Sequence, residues 1–254
     1  MNAPTRYLSL SWQLVLRNIA FQRTAWVALV SAFLEPAMYF TAVVVGFGHI
    51  VNNLDPRAYV AFAGPALLAV SVMNGSIVEC TNNVFYRLRQ ARLYDTVICT
   101  AMSPGNVALG ELIYGTLRGL VYGAIFLLLL YPFIAISLVA TIACLAAAVP
   151  VGWMFAALGL SLVSRLTSWR QLQTVQLAVF VMFLVSDTFT DVTGHGEWFN
   201  VLVHLFPLTY ANHLMRAIIA QDWSIAATQL SIVLGVAVVL TTIAITLISR
   251  ELSD

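Results

Sequence analysis

Between Arg118 and Arg165 the chain runs for 46 residues without one Asp, Glu, Lys or Arg. A soluble domain carries roughly one charged residue in four and does not contain such a stretch. A bilayer core needs about 20 apolar residues per crossing helix, so the stretch is too long for one crossing and long enough for two. Tyr131-Pro132 near its middle marks the turn. The rest of the chain agrees, with 61% apolar residues, 9% charged residues and a mean hydropathy of +0.90. Lipid leaves backbone groups no partner outside their own segment, and the alternating pattern of a barrel strand is absent, so the crossings are expected to be helices.

Six charge-poor stretches emerge, at about 24–47, 58–82, 107–130, 138–163, 171–189 and 226–249. With the N-terminus inside, nine Arg (Arg6, Arg17, Arg23, Arg87, Arg89, Arg92, Arg165, Arg170 and Arg250) fall on the inner side. Arg57 and Arg216 fall outside, and Arg118 sits within the third span. That asymmetry is the positive-inside pattern, and the even count returns the C-terminus to the cytoplasm. The start shows no short apolar region of a cleaved signal, so the chain is expected to keep its N-terminus. Cys80, Cys99 and Cys144 form an odd set without a C-x-x-C spacing, and no disulfide framework is implied.

Three segments outside the spans have character of their own. Residues 5–22 place Leu8, Trp12, Val15, Leu16 and Ile19 on one helical face and Arg6, Ser9, Gln13 and Arg17 on the other, as in a helix lying in the membrane interface. Residues 84–103 form the longest inside connection, closed by Ser103-Pro104 as an N-cap with Pro at the first helical position. Residues 190–225 are too polar to cross yet contain apolar runs, which two short re-entrant helices broken at Pro207 would satisfy. The expected fold is an all-α integral membrane domain over 1–254, with six transmembrane helices and both termini inside.

A set of residues in fixed order gives this pattern a family likeness. Glu35-Pro36 is followed by Gly46 and Gly48, Glu79-x-Thr81 by Arg87, and Tyr94-Asp95-Thr96 by Thr100 to Pro104. Gly110-Glu111 and Thr116-x-Arg118 follow, then Phe206-Pro207-Leu208-Thr209-Tyr210 and Arg216. Over essentially its whole length the chain resembles the membrane subunit of a bacterial ABC exporter of the ABC-2 type. Within that family it is similar to the nodulation-factor exporter permeases and their polysaccharide- and drug-exporting relatives. Relatives more often carry Thr-Pro where this chain has Thr100-Ala101-Met102-Ser103-Pro104.

The resemblance implies an ATP-driven exporter of the inner membrane, in which two permease copies join two cytoplasmic ABC ATPase subunits that bind ATP and Mg. The residues give a separate reason for an outside energy source. All twelve basic residues are Arg, which excludes a phosphate-binding G-x-x-x-x-G-K-[ST] loop and Schiff-base chemistry. The inside loop is where an ATPase is expected to dock, with Leu93, Val97 and Ile98 as apolar contacts and Arg87, Arg89, Arg92 and Asp95 as polar register. An Arg-rich loop that only fixes topology and touches lipid phosphate remains an alternative. A net charge of +1 gives no reason to expect a nucleic-acid partner.

Four ionisable groups lie in or at the ends of spans: Glu35, Glu79, Glu111 and Arg118. At a helix centre each costs about 2.5 to 3.5 kcal/mol on insertion scales, so such groups face a partner or water. Glu35 lines a polar pocket or joins a buried structural pair. Glu111 and Arg118 are seven residues apart, on one helical face and roughly 10 Å apart along it, so they need not touch. Arg118 is a counter-ion for Glu35, Glu79 or an anionic lipid or substrate, and Glu111 is expected near the inner interface, where it reaches water. His195, Glu197, His204 and His213 fit no standard metal-ligand spacing, so no metal is expected. Asp187 and Asp191 are expected to mark the lipid boundary. A secondary transporter or channel is the alternative function, although no internal repeat or pair of broken segments supports it. An intramembrane enzyme lacks a nucleophile and base at a common depth.

Overall fold

The computed structural model describes residues 3–22, 34, 37, 38, 40, 41, 56–100, 102–189 and 197–252. Almost all of the expected first span, with Glu35 and Pro36, lies outside the described residues, as do Asp191 and His195.

Every described element is helical. In chain order they are α1 (Ala3–Gln22), α2 (Pro56–Val78), α3 (Leu93–Ile98), α4 (Pro104–Leu130), α5 (Leu138–Val163), α6 (Trp169–Val185), α7 (Glu197–His204), α8 (Pro207–Ile219) and α9 (Trp223–Glu251). Helix α2 continues through two π turns, Glu79–Asn83 and Tyr86–Gln90. Four described helices are long and apolar enough to cross a membrane: Tyr59–Gln90, α4, α5 and α9. Helix α6 is apolar but shorter, with 17 residues.

The charge-poor stretch of the sequence predicts a second span of about 58–82 followed by an inside connection from residue 84. In the structure the helix runs on to Gln90. The two charges neutralise each other on one side of it, with Arg87 Nη2 2.7 Å from Glu79 Oε1, so they end neither the helix nor its burial. The connection left between α2 and α4 is correspondingly short, and α3 occupies its middle. Ser103 then caps α4 as its sequence suggests. Its hydroxyl accepts from the Asn106 amide, the Asn106 side chain accepts from the Ser103 amide, and Pro104 fills the first turn.

Helix α2 is the centre of the bundle: 83% of its apolar window is buried, against 22% for α9. Lipid tails are as apolar as Leu, so membrane helices associate through close backbone packing at small residues. Gly75 of α2 and Gly119 of α4 supply such a crossing. A Cβ on Gly75 would lie 2.8 Å from the Gly119 Cα and 3.0 Å from the Arg118 carbonyl oxygen. One turn along, a Cβ on Gly115 would meet Cys80 Sγ at 2.5 Å and Ala156 Cβ of α5 at 3.2 Å. These contacts lock α2, α4 and α5 together, and Glu79 and Arg118 project from α2 and α4 beside them.

Helix α1 lies on α4. Its Ser11, Leu14, Val15 and Asn18 are buried, while Leu8, Trp12 and Leu16 are exposed. The amphipathic reading assigned Val15 to the same face as Leu8, Trp12 and Leu16. The structure divides that face, because α4 takes the Leu14–Val15 side and leaves the Leu8–Trp12–Leu16 stripe uncovered. The two short helices expected within 190–225 are α7 and α8, separated at Leu205-Phe206 with Pro207 in the first turn of α8.

Candidate functional site

Where α2 passes into its π turns, it faces α4 and α1 with a buried ionic network. Glu79, fully buried, accepts from Arg87 Nη2 at 2.7 Å, from the Asn83 amide and from Arg118 Nη1. Arg87 reaches forward from the second π turn and gives its other terminal nitrogen to Glu111 Oε2 at 2.7 Å. Glu111 is also fully buried and receives Asn18 Nδ2 of α1 at 3.1 Å and the Tyr94 hydroxyl of α3 at 2.8 Å. Arg17 approaches the same carboxylate at 3.8 Å from a side chain that is 36% exposed. At the other end, Arg118 donates from Nε and Nη2 to the Tyr122 hydroxyl at 3.2 and 2.9 Å.

Two buried carboxylates, the buried Arg118 and the largely covered Arg87 make the core of this network neutral. A buried ion that loses its partner costs about 3 to 5 kcal/mol, which explains why all four charges are matched. A π turn adds one residue to the helical turn and re-aims the side chains that follow, and such turns recur at functional sites. Here the two of them bring Glu79 and Arg87, eight residues apart, onto one acceptor-donor line facing α4.

The four in-span groups thus fall out differently. Glu35 lies outside the described residues. Glu79 is the counter-ion of Arg118, and both terminal nitrogens and Nε of Arg118 have partners within the chain. Glu111 and Arg118 do not touch; Arg87 and Glu79 stand between them. Glu111 does not reach water as expected. Asn18, Arg87 and Tyr94, contributed by three other elements, cover it completely.

The connection residues also divide. Arg87 turns inward. Arg89 donates to the Leu166 carbonyl at 2.8 Å and pairs with Glu251 of α9 at 2.7 Å, tying the end of α2 to two neighbouring elements. Arg92 is exposed and enters α3 with φ of 43°, the left-handed region that L residues seldom adopt. On α3, Asp95 is exposed while Leu93, Val97 and Ile98 are half-buried. Leu93 and Val97 pack partly on the chain's own core, so they offer a partner only part of their surface. Tyr94 is the buried residue of this helix. Burial, and then the Glu111 carboxylate, hold its phenol well above the ordinary tyrosine range, so it remains a hydrogen-bond donor.

Sequence reasoning did not single out Asn18, Asn83, Tyr94 or Tyr122 for this site. Tyr122 carried a usable signal, since it stands four residues after Arg118 on the same helical face. Asn18 carried another, as a polar residue continuing the Ser11–Leu14–Val15 side of α1. Tyr94 had none beyond its place in the motif, because a lone aromatic in a polar connection reads equally well as exposed.

A second cluster lies between the end of α6 and α8. Arg216 donates to Asp187 Oδ2 at 2.7 Å, to the Asp187 carbonyl at 2.6 Å and to the Phe62 carbonyl of α2 at 3.1 Å. Its guanidinium also lies 3.8 Å over the Phe62 ring. His213 meets Asp187 Oδ2 at 2.9 Å, and Asn212 donates to the Ser186 carbonyl at 2.6 Å. Asp187 was expected at a lipid boundary; it is buried because these groups enclose it. His204 Nδ1 donates to the Asn200 carbonyl at 2.8 Å. Among the described residues no three His, Cys, Asp or Glu side chains are placed to hold a metal. A separate apolar groove of about 830 Å³ runs between α5, α8 and α9 past Ala147, Trp153, Ile218, Leu230 and Val238.

The family of ABC-2 type transporters matches residues 9–220, a span that takes in most of α1, the π turns, α3 and both polar clusters. The chain belongs to the ABC-2 type transporter family. This ABC-2 permease is similar to Nodulation protein J of Sinorhizobium fredii, 24% identical over 209 residues that cover 81% of this chain and 80% of the relative. It is 24% identical to Nodulation protein J of Neorhizobium galegae over 224 residues, covering 82% and 80% of the two chains. Nodulation protein J of Bradyrhizobium diazoefficiens is 22% identical over 215 residues, covering 83% and 82%. As a member of this family the chain is a multi-pass membrane transport subunit, and the apolar helices of the structure accord with that.

Proposed function

We propose that this ABC-2 permease is the membrane-spanning part of an ATP-driven exporter in a bacterial inner membrane. Two copies of the chain cross the membrane six times each with both termini in the cytoplasm, and two cytoplasmic ABC ATPase subunits bind ATP and Mg. The substrate moves outward between the copies. Similarity to proteins named for nodulation favours an amphiphilic, saccharide-bearing substrate such as a glycolipid or lipid-linked oligosaccharide, with hydrophobic drug-like molecules as the other class handled by such permeases.

The observation that carries this reading is the mounting of α3. It is a short helix with exposed Arg92, Asp95 and Thr96 on one side and a buried Tyr94 on the other, set directly on the ionic network of α2 and α4. A docking element for an energy-supplying partner needs both an accessible face and a stiff attachment. These 254 residues contain no Lys and no phosphate-binding loop, so they supply no ATP site of their own and the reading assigns ATP chemistry to an ATPase subunit. Co-expression with the ATPase subunits of the same cell and purification in nanodiscs tests the reading. A stable complex with vanadate-sensitive ATP turnover is expected, and a wild-type chain that binds no ATPase subunit would sink it.

A further inference from the structure

Helix α3 is attached to the rest of the molecule in an uneven way. Of its six residues, Tyr94 is the buried one. Among the described residues, no other side chain of α3 hydrogen-bonds to a different element. The Tyr94 hydroxyl donates to Glu111 Oε1 at 2.8 Å. The other oxygen of that carboxylate takes Arg87 of α2 and Asn18 of α1. Glu111 therefore stands with one oxygen toward α3 and the other toward the transmembrane bundle.

Beyond Glu111 the contacts form a single line. Arg87 is shared by Glu111 and Glu79, Glu79 also holds Arg118, and Arg118 holds Tyr122 a turn further along α4. Glu79 and Arg87 sit on the two π turns, the least regular part of α2. A π turn has a neighbouring α-helical register, which gives the end of α2 a second arrangement for an outside force to select. A displacement of α3 that moves the phenol changes the hydrogen bonding of Glu111 and is felt first at Arg87, inside the second π turn.

We propose that Tyr94 is a positioning residue for transport, whose hydroxyl passes displacement of α3 through Glu111 and Arg87 to the π turns of α2 and to α4. The proposal rests on the reading of α3 as the contact with an ATPase. It adds that the transmitting group is one hydroxyl, distinct from the exposed residues that would do the docking.

The test uses Tyr94→Phe, which keeps the ring and its packing and removes the hydroxyl alone. Wild type and variant are purified in nanodiscs with the ATPase subunits, and amide hydrogen exchange over 79–90 and 104–118 is compared between the nucleotide-free complex and the complex trapped with ADP and vanadate. Wild type is expected to change its exchange in both segments on trapping. Tyr94→Phe is expected to bind the ATPase and hydrolyse ATP within about twofold of wild type, while its trapping-dependent change falls about tenfold, the order of one hydrogen bond to a charged group. That separation of hydrolysis from the response is not produced by a general loss of stability. A full trapping response in Tyr94→Phe overturns the proposal. Loss of ATPase binding or of folding in this variant overturns it too, because the hydroxyl would then serve docking or stability. Failure of the wild-type chain to bind any ATPase is a separate result and counts against the function proposed above.

Discussion

Glu79 of α2 and Arg118 of α4 form an ion pair buried at both ends, 39 positions apart in sequence and beside the closest crossing of their helices. In a bilayer such a pair survives because each partner removes the other's charge from lipid. Replacing Arg118 by Leu leaves Glu79 with Arg87 and Asn83 but unbalances the buried charge. We expect Arg118→Leu to destabilise the permease by about 3 to 5 kcal/mol. The double replacement Glu79→Gln with Arg118→Leu should recover part of that loss. Thermal unfolding of Arg118→Leu, of Glu79→Gln alone and of the double variant in one detergent measures the coupling. A single variant with wild-type stability would refute the pairing and reopen a direct role for Arg118 toward substrate.

The same logic sets the attachment of α1. Asn18 donates to the buried Glu111, and a hydrogen bond to a charged group is worth about 1.5 to 3 kcal/mol. Asn18→Ala is expected to loosen α1 from α4 and expose the peptide bond after Arg17. Limited trypsin digestion should then cut there roughly tenfold faster than in wild type, in line with that energy. Unchanged cleavage would mean that Leu14 and Val15 hold the helix without the polar contact.

Much of this architecture could be read from residues alone, for physical reasons that differ by element. The turn at Tyr131-Pro132, the cap at Ser103 and the break before Pro207 depend on local chemistry, and local chemistry is written in neighbouring residues. The helix of α2 runs on to Gln90, eight residues beyond the end of the charge-poor stretch. Whether Glu79 and Arg87 end a helix or extend it depends on partners 24 to 39 positions away, which no local window contains. Arg118 was recognised as needing a counter-ion, and the sequence left three candidates because spacing along one helix says nothing about which helix packs against it. Glu111 was placed near water for the same reason, since its cover comes from α1, α2 and α3. Tyr94 shows the limit most plainly: its importance comes from where α3 is folded back, and not from its neighbours in the chain.

Close backbone approach makes a prediction with an internal control. A Cβ on Gly119 would press on Ser76 Oγ and lie 2.8 Å from the Val72 carbonyl, where backbone has no room to yield. Gly119→Ala is expected to cost about 1 to 3 kcal/mol, the usual range for overpacking, and to lower the yield of folded protein. A Cβ on Gly235 of α9 would meet nothing within 4 Å. Gly235→Ala should therefore match or slightly exceed wild-type stability, since Ala is the better helix former. Equal effects from the two substitutions would contradict the described packing of α2 on α4.

The cluster at the far end of α8 ranks its own members. Arg216 joins three elements through Asp187 on the turn after α6, the Phe62 carbonyl and ring on α2, and its own helix. His213 makes one contact to the same Asp187 oxygen from a side chain that is 30% exposed. Removing Arg216 leaves Asp187 buried beside a single imidazole, whereas removing His213 leaves the Arg216 pair intact. Arg216→Ala is accordingly expected to cost about 3 to 5 kcal/mol, as for a broken buried pair. His213→Ala should cost about 1 kcal/mol or less, as for a partly solvated contact. Denaturation of both variants in the same detergent decides the order. A His213→Ala variant as unstable as Arg216→Ala would show that the imidazole, rather than the guanidinium, carries Asp187.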